Sequence, residues 1–182
     1  MKQFADLTER EILALAISNE DEDSRIYRGF AEGLAEQFPA SAAVLSGMAD
    51  EEVHHRGALF ELYRERFGEY LPLIRRQDVK GFIKRKPLWL MRPLGLDDVR
   101  KYATAMELDA ARFYRKAAES TRDASIRELL LKLSEEEDRH EAIAERLTEK
   151  HLTSEARAGE ADSERRIFVL QYVQPGLVGL MD

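Results

Sequence analysis

The sequence contains no cysteine, which excludes disulfides, thiolate metal sites and thiol nucleophiles. It has only 5 prolines and 10 glycines among 182 residues, so little interrupts long helices. No apolar run approaches the ~20 residues that a membrane-spanning helix needs. The opening stretch, MKQFADLTERE, lacks the apolar centre of a signal peptide, so a cytoplasmic start is expected. Positive charge is in deficit as well. A formal net charge of −7 argues against general nucleic-acid binding, with local basic patches still allowed. The chain does have the balance of a soluble, mostly helical domain, with 44% hydrophobic and 35% charged residues and enough length for a real core.

Four long helical patterns are legible. The first starts at a capping box, Thr8 with Glu11, and runs to about Gln37, before Pro39. A second covers roughly 40–67 and stops at Gly68. The third begins near Asp97 or Asp98 and runs to about Thr121. The fourth opens near Asp123 or Ser125, where Ser125 and Glu128 make another candidate box, and continues to about Leu152. Short links make each pair an antiparallel hairpin, and a crossover at roughly 69–96 can return the third helix parallel to the second. The expected fold is therefore all-α, a four-helix bundle over residues 1–152 with one long crossover. Residues 153–182 follow as a polar linker and a C-terminal tail.

The two hairpins repeat each other. NEDEDSRIYRGFAE (19–32) lies over MELDAARFYRKAAE (106–119), matching Glu20 with Glu107, Arg25 with Arg112 and Tyr27 with Tyr114. ADEEVHHRGAL (49–59) lies over SEEEDRHEAIA (134–144), matching Glu52 with Glu137 and His55 with His140. The offsets, 87 and 85, agree within a small change of linker, as a duplicated hairpin requires.

Each helix carries an apolar stripe at 3-4 spacing that a carboxylate interrupts near its middle. Along the first the stripe reads Leu13, Ala16, Glu20, Asp23, Tyr27, Phe30. On the second it reads Leu45, Met48, Glu52, His55, Leu59; on the third Val99, Ala103, Glu107, Ala110, Tyr114; on the fourth Leu130, Leu133, Glu137, His140, Ala144. Two of the four carboxylates have an imidazole one turn later. Unpaired ions in a protein interior cost several kcal/mol each, so four carboxylates at one level with two imidazoles would repel one another. Two divalent cations cancel the four negative charges. Oxygen and imidazole donors without sulfur suit Fe or Mn, with Zn as a substitute.

One Glu from each of two helices, with Glu-x-x-His from each of the other two, is the pattern of ferritin-like di-metal bundles. Across about 8–152 the chain resembles the rubrerythrin and erythrin branch of that superfamily. The resemblance implies two iron ions per chain, with Glu20, Glu52, His55, Glu107, Glu137 and His140 as ligands and Glu52 and Glu137 bridging. It also implies a homodimer. Ala110 stands where rubrerythrins carry a further Glu, and its counterpart in the first hairpin, Asp23, offers a seventh carboxylate. Without cysteine there is no rubredoxin module. Bacterioferritins share the ligand pattern but not the longer crossover or the C-terminal segment. Tyr27 and Tyr114 have two open readings: hydroxyls bonded to ligand carboxylates, or core tyrosines satisfied elsewhere. Glu51, Glu136 and His54 point about 100° away from the ligands around the helix and are read as solvated or interface residues. His151 is read as a favourable charge near a helix end.

The tail, QYVQPGLVGLMD, resembles the approach to the first spanning helix of vacuolar-iron-transporter-like proteins. Joined to this bundle it resembles bacterial membrane-bound ferritins, iron exporters in which a cytoplasmic bundle precedes a domain in the inner membrane. Arg165 and Arg166 fit a positive-inside boundary. The segment RRQDVKGFIKRKPLWLMRP (75–93) either docks on anionic headgroups or packs its apolar residues on the bundle or across a dimer. Three functions follow as expectations: an iron-collecting domain of an exporter, a ferroxidase or peroxide-reducing enzyme, and a structural helical adaptor.

Overall fold

A computed structural model describes residues 1–80 and 95–145, together with 158–159 and 161–162. Four helices dominate it: α1 Glu9–Leu34, α2 Pro39–Phe67, α3 Leu96–Ser120 and α4 Ala124–Glu145. Their boundaries have identifiable chemical causes. Thr8 caps α1 by accepting from the Glu11 N–H, and Glu11 returns a bond to the Thr8 N–H, so the expected capping box is formed. α1 stops three residues earlier than the periodicity predicts, at Leu34, because the chain must reach Pro39, which takes the first position of α2. Gly68 ends α2 at φ 81°, a backbone angle that glycine adopts without a side-chain clash. α4 is not capped by the Ser125–Glu128 box. Asp123 Oδ1 accepts from the Ser125 and Ile126 N–H groups at 2.9 and 3.1 Å, while Ser125 Oγ accepts from Arg66.

α1 packs along α2 and α3 along α4, as two hairpins; α1 also meets α3, and α2 meets α4. This is the expected ferritin-like four-helix bundle. Arg10 and the start of the crossover are tied to α2 through Tyr63, whose hydroxyl accepts from Arg10 Nε at 2.7 Å and donates to the Tyr70 carbonyl at 2.6 Å. Arg76 then fixes the crossover to α1, donating from Nε to Asn19 Oδ1 at 2.5 Å and lying 3.0 Å from Glu22. One feature has no counterpart in the helical pattern. Lys2–Gln3 (β1) and Val79–Lys80 (β2) form a two-residue parallel ladder that pins the N-terminus to the crossover.

The core is split in two. One apolar cluster, with Leu13, Leu59, Tyr63, Phe113, Ile126 and Leu130, lies toward one end of the bundle. A second, with Phe30, Leu34, Phe38, Leu45, Leu96 and Val99, lies toward the other. Between them sits a layer of buried polar groups: Glu20, Glu52, His55, Glu107, Glu137 and His140.

The basic part of the crossover beyond Lys80, the expected continuation of the fourth helix over 146–152 with His151, and Arg165 and Arg166 with the apolar tail lie outside the described residues. Within the linker, 158–159 and 161–162 are helical. Among the described residues no helix is long and apolar enough to cross a membrane.

Candidate metal centre

Helical spacing delivers the polar layer. Glu52 and His55 are three residues apart on α2, as Glu137 and His140 are on α4, so each carboxylate and imidazole share a face. Glu20 on α1 and Glu107 on α3 complete the layer from the other helix of each hairpin. Two sets of donor atoms result: Glu20, Glu52, His55 and Glu137 form one, and Glu52, Glu107, Glu137 and His140 form the other. Within each set all four atoms lie within 4.8 Å of one another, and all eight contributions come from buried residues. Donors bound at roughly 2.0–2.2 Å from one cation stand about 3–4.4 Å apart, so both sets have the right size.

The two sets share Glu52 and Glu137. His55 Nδ1 lies 3.1 Å from Glu52 Oε2 and 3.4 Å from Glu137 Oε1. His140 Nδ1 lies 3.2 Å from Glu52 Oε1 and 4.0 Å from Glu137 Oε2. Each shared carboxylate therefore turns one oxygen toward each imidazole. Glu20 belongs to the His55 side, at 3.4 Å, and Glu107 to the His140 side, at 3.8 Å. The rings stack with centroids 5.5 Å apart and planes within 17°. Asp23 is buried one turn along α1 from Glu20 but belongs to neither set.

Tyrosines close the other edge. The Tyr27 hydroxyl on α1 donates to Glu107 on α3, and the Tyr114 hydroxyl on α3 donates to Glu20 on α1. The exchange is reciprocal, so each hairpin holds the other's carboxylate. Sequence reasoning missed a second reciprocal pair. Glu51 and Glu136, expected to be solvated or at an interface, reach the outer nitrogens of the imidazoles. His140 Nε2 is 2.7 Å from Glu51 Oε2, and His55 Nε2 is 3.1 Å from Glu136 Oε2. The available signal was the repeat itself, in which Glu51 and Glu136 are matched positions. His54 is exposed, as expected, and its Nδ1 lies 2.8 Å from the Asp50 carbonyl.

The electrostatics show how poorly this layer is satisfied by protein alone. Burial, followed by the negative charge of Glu52, pushes Glu20 up to about 8. Burial and the same neighbour raise Glu137 to about 7, and burial with Glu137 alongside holds Glu107 well above the usual carboxylate range. Burial would raise Glu52 too, but contacts from His140 and His55 outweigh it and hold Glu52 down to about 2. Burial opposes charge on both imidazoles, yet the surrounding carboxylates win, taking His140 to about 9 and His55 higher still. Burial and nearby carboxylates also keep the Tyr27 and Tyr114 hydroxyls protonated far above their ordinary range. Buried Glu20 Oε2, Glu52 Oε1, Glu137 Oε1 and His140 Nδ1 have no hydrogen-bond partner. Buried polar atoms are almost always bonded, and these four are all members of the two donor sets. A cation between them meets their demand, so the residues fit a metal pair.

Comparison with known proteins agrees with this geometry. None of the curated proteins matches the chain. A hypothetical protein from Pyrococcus furiosus has a similar solved structure, with a TM-score of 0.57 at 25% identity, covering 82% of this chain and 96% of that one. The family model described as Rubrerythrin matches residues 11–148, a range that holds all of α2, α3 and α4, α1 from its third residue, and the whole buried polar layer. On that match, and on the bundle that carries it, the chain belongs to the rubrerythrin family.

Proposed function

We propose that the buried layer is a di-iron centre, with Glu20, Glu52, His55, Glu107, Glu137 and His140 as ligands and Glu52 and Glu137 bridging. The observation that carries this is the pair of overlapping donor sets, in which each shared carboxylate offers one oxygen to each side. Mn or Zn fits the same donors. Bound there, two iron ions supply one-electron redox chemistry toward dioxygen or a peroxide. The protein's part is to provide four carboxylates whose charge balances two divalent ions and two imidazole lone pairs. Two tyrosine hydroxyls hold Glu20 and Glu107 in place, and apolar packing above and below excludes water. Asp23, buried one turn along α1, is the reserve carboxylate.

In the finer reading, the bundle collects and oxidises iron for an exporter whose membrane domain follows the tail. Its support is the change from polar 153–164 to apolar 167–181. We further propose a homodimer, supported by apolar side chains on the crossover: Tyr70, Leu71 and Leu73 are 84%, 42% and 99% exposed.

Metal analysis of the purified protein tests the centre, with two ions per chain as the expected content. Glu107→Ala should keep the helical fold and weaken at least one site, and two ions at unchanged affinity in that variant would overturn the ligand assignment. Rapid Fe(II) oxidation would place ferroxidase chemistry at the centre. Binding without turnover would favour collection for transport, and metal-independent behaviour of every ligand variant would leave a structural adaptor.

A further inference from the structure

We propose that the start of the crossover, 69–80, is a lid over the seam between α1 and α3, and that Arg76 is the group that closes this seam to cations. Its consequence for metal rests on the di-metal reading, whereas the contacts that hold the lid stand independently of it. Three polar attachments keep the lid down. At its start the Tyr70 carbonyl accepts from Arg10 Nη2 and from the Tyr63 hydroxyl, both at 2.6 Å. At its end Val79 and Lys80 pair with Lys2 and Gln3, next to Phe4, which packs edge-to-face against Phe113 on α3. Between them Arg76 Nε donates to Asn19 Oδ1 at 2.5 Å. Apolar packing contributes less: Leu71 and Leu73 are exposed, and Ile74 and Val79 are the lid residues that join the neighbouring apolar cluster. Segments with few buried apolar contacts open locally at a fraction of the free energy of global unfolding.

Arg76 is turned inward. Only 14% of its side chain is exposed, and its partner Asn19 is buried directly before Glu20 on α1. Glu22, two residues after Glu20, lies 3.0 Å from Arg76 Nη2. Burial lowers the pKa of the guanidinium, and the charges of Glu22 and Glu20, followed by Tyr102 and Tyr114 on α3, oppose that fall. The group therefore stands where α1 and α3 meet, at the edge of the polar layer that Tyr114 closes by donating to Glu20. A guanidinium stays charged in a protein. A cation approaching the layer from this side meets a positive charge in a place with little water to screen it. The hold on Arg76 is light. Nη2 is buried yet makes no hydrogen bond, so one hydrogen bond at Nε and the ion pair with Glu22 keep this part of the lid shut.

A lid held mainly by polar contacts opens while the four helices stay folded. With it closed, metal passes by the opposite edge of the layer, between α2 and α4, where the imidazoles lie. With it open, the α1–α3 edge admits and releases metal as well.

Mn(II) uptake and release by stopped flow, with chymotrypsin cleavage of the metal-free protein after Tyr70 and Leu73, test this on wild type, R76A and R76K. R76A is expected to speed uptake and release together by about 10-fold, the lower end of what charge at an entrance does to association rates. Faster release is the diagnostic half. A positive charge acting only from a distance weakens metal binding, so its loss would slow release instead. Cleavage should rise by about 10–100-fold, as loss of a charged hydrogen bond raises the open population. R76K should restore most of the wild-type behaviour, because its ammonium keeps the charge and a donor for Asn19. Unchanged rates or unchanged cleavage in R76A, faster uptake with slower release, or R76K as open as R76A would overturn the inference. Wild-type protein that takes up no Mn(II) would defeat the di-metal reading instead. Cleavage of metal-free R76A then decides the lid: faster cleavage supports it, and wild-type cleavage overturns it.

Discussion

Glu20 has one hydrogen-bonded oxygen, and Tyr114 supplies that bond from the other hairpin; its second oxygen has none. A buried carboxyl with so few partners does not arise from selection for stability, because well-packed apolar residues in the same volume are often as stable or more so. On the proposed function, the rest of the fold holds these carboxylates in place for the metal that they would bind. Tyr114→Phe removes the single donor to Glu20 while leaving the ring's packing intact. The expected cost is about 1–3 kcal/mol in the metal-free protein, the usual penalty for stranding a buried acceptor, read from urea unfolding. Tyr27→Phe should behave alike through Glu107. A change below about 0.5 kcal/mol in both would mean that these hydroxyls do not support the layer.

At the scale of the helices, the termini are held by bonds that substitution can separate. Asp123 caps α4 through two backbone N–H groups, while Ser125, which begins a plausible capping box in sequence, accepts from Arg66 instead. Asp123→Ala should lower stability by about 1 kcal/mol, the typical loss of an N-cap. Ser125→Ala should stay within about 0.5 kcal/mol, since it removes an exposed contact and no cap. Equal effects in thermal or denaturant unfolding would return the cap to Ser125. Capping boxes read alike in sequence when a serine lies two residues after an aspartate. Which one is used depends on where the preceding link leaves the chain, and Glu9 fixes that link by accepting from the Arg122 and Asp123 N–H groups across the bundle.

For the molecule as a whole, the charged layer makes stability depend on both pH and metal. Folding raises Glu20 and Glu137 to about 8 and 7 from an ordinary 4.5, so the folded state holds protons that the unfolded chain has released. Their stabilisation is complete below about 4.5 and is lost as pH rises through 7–8. His140, raised to about 9 from 6.5, adds a contribution complete below 6.5 and lost as pH rises through 9. Glu52, lowered to about 2, has the opposite sign, but its contribution is already constant above 4.5. The melting temperature of metal-free protein should therefore fall between pH 5 and 9. Saturating Mn(II) should raise it, by an amount that grows with pH as protons leave the ligands. A metal-free melting temperature that rises over this range, or no response to Mn(II), would contradict the buried layer described here. The proposed homodimer is checked by light scattering at micromolar concentration, where a mass near twice 20.9 kDa is expected and a monomer would remove the proposal.

Periodicity and duplication were sufficient to read four helices, two hairpins and the six residues of the polar layer, because helical spacing is local and a repeated carboxylate on an apolar stripe stands out against it. Thr8 and Gly68 were legible for the same reason, since caps are local chemistry. Tertiary structure alone decided which residues from different helices meet. The crossing of Tyr27 to Glu107 and Tyr114 to Glu20, and of Glu51 to His140 and Glu136 to His55, depends on two hairpins packing face to face. Angular position on a single helix placed Glu51 and Glu136 away from the centre, as it must for a helix viewed alone; the neighbouring helix carries the imidazole outward to meet them. The β1–β2 ladder was hidden likewise, because two residues of strand have no period and their pairing joins Lys2 to Val79 through 76 intervening residues.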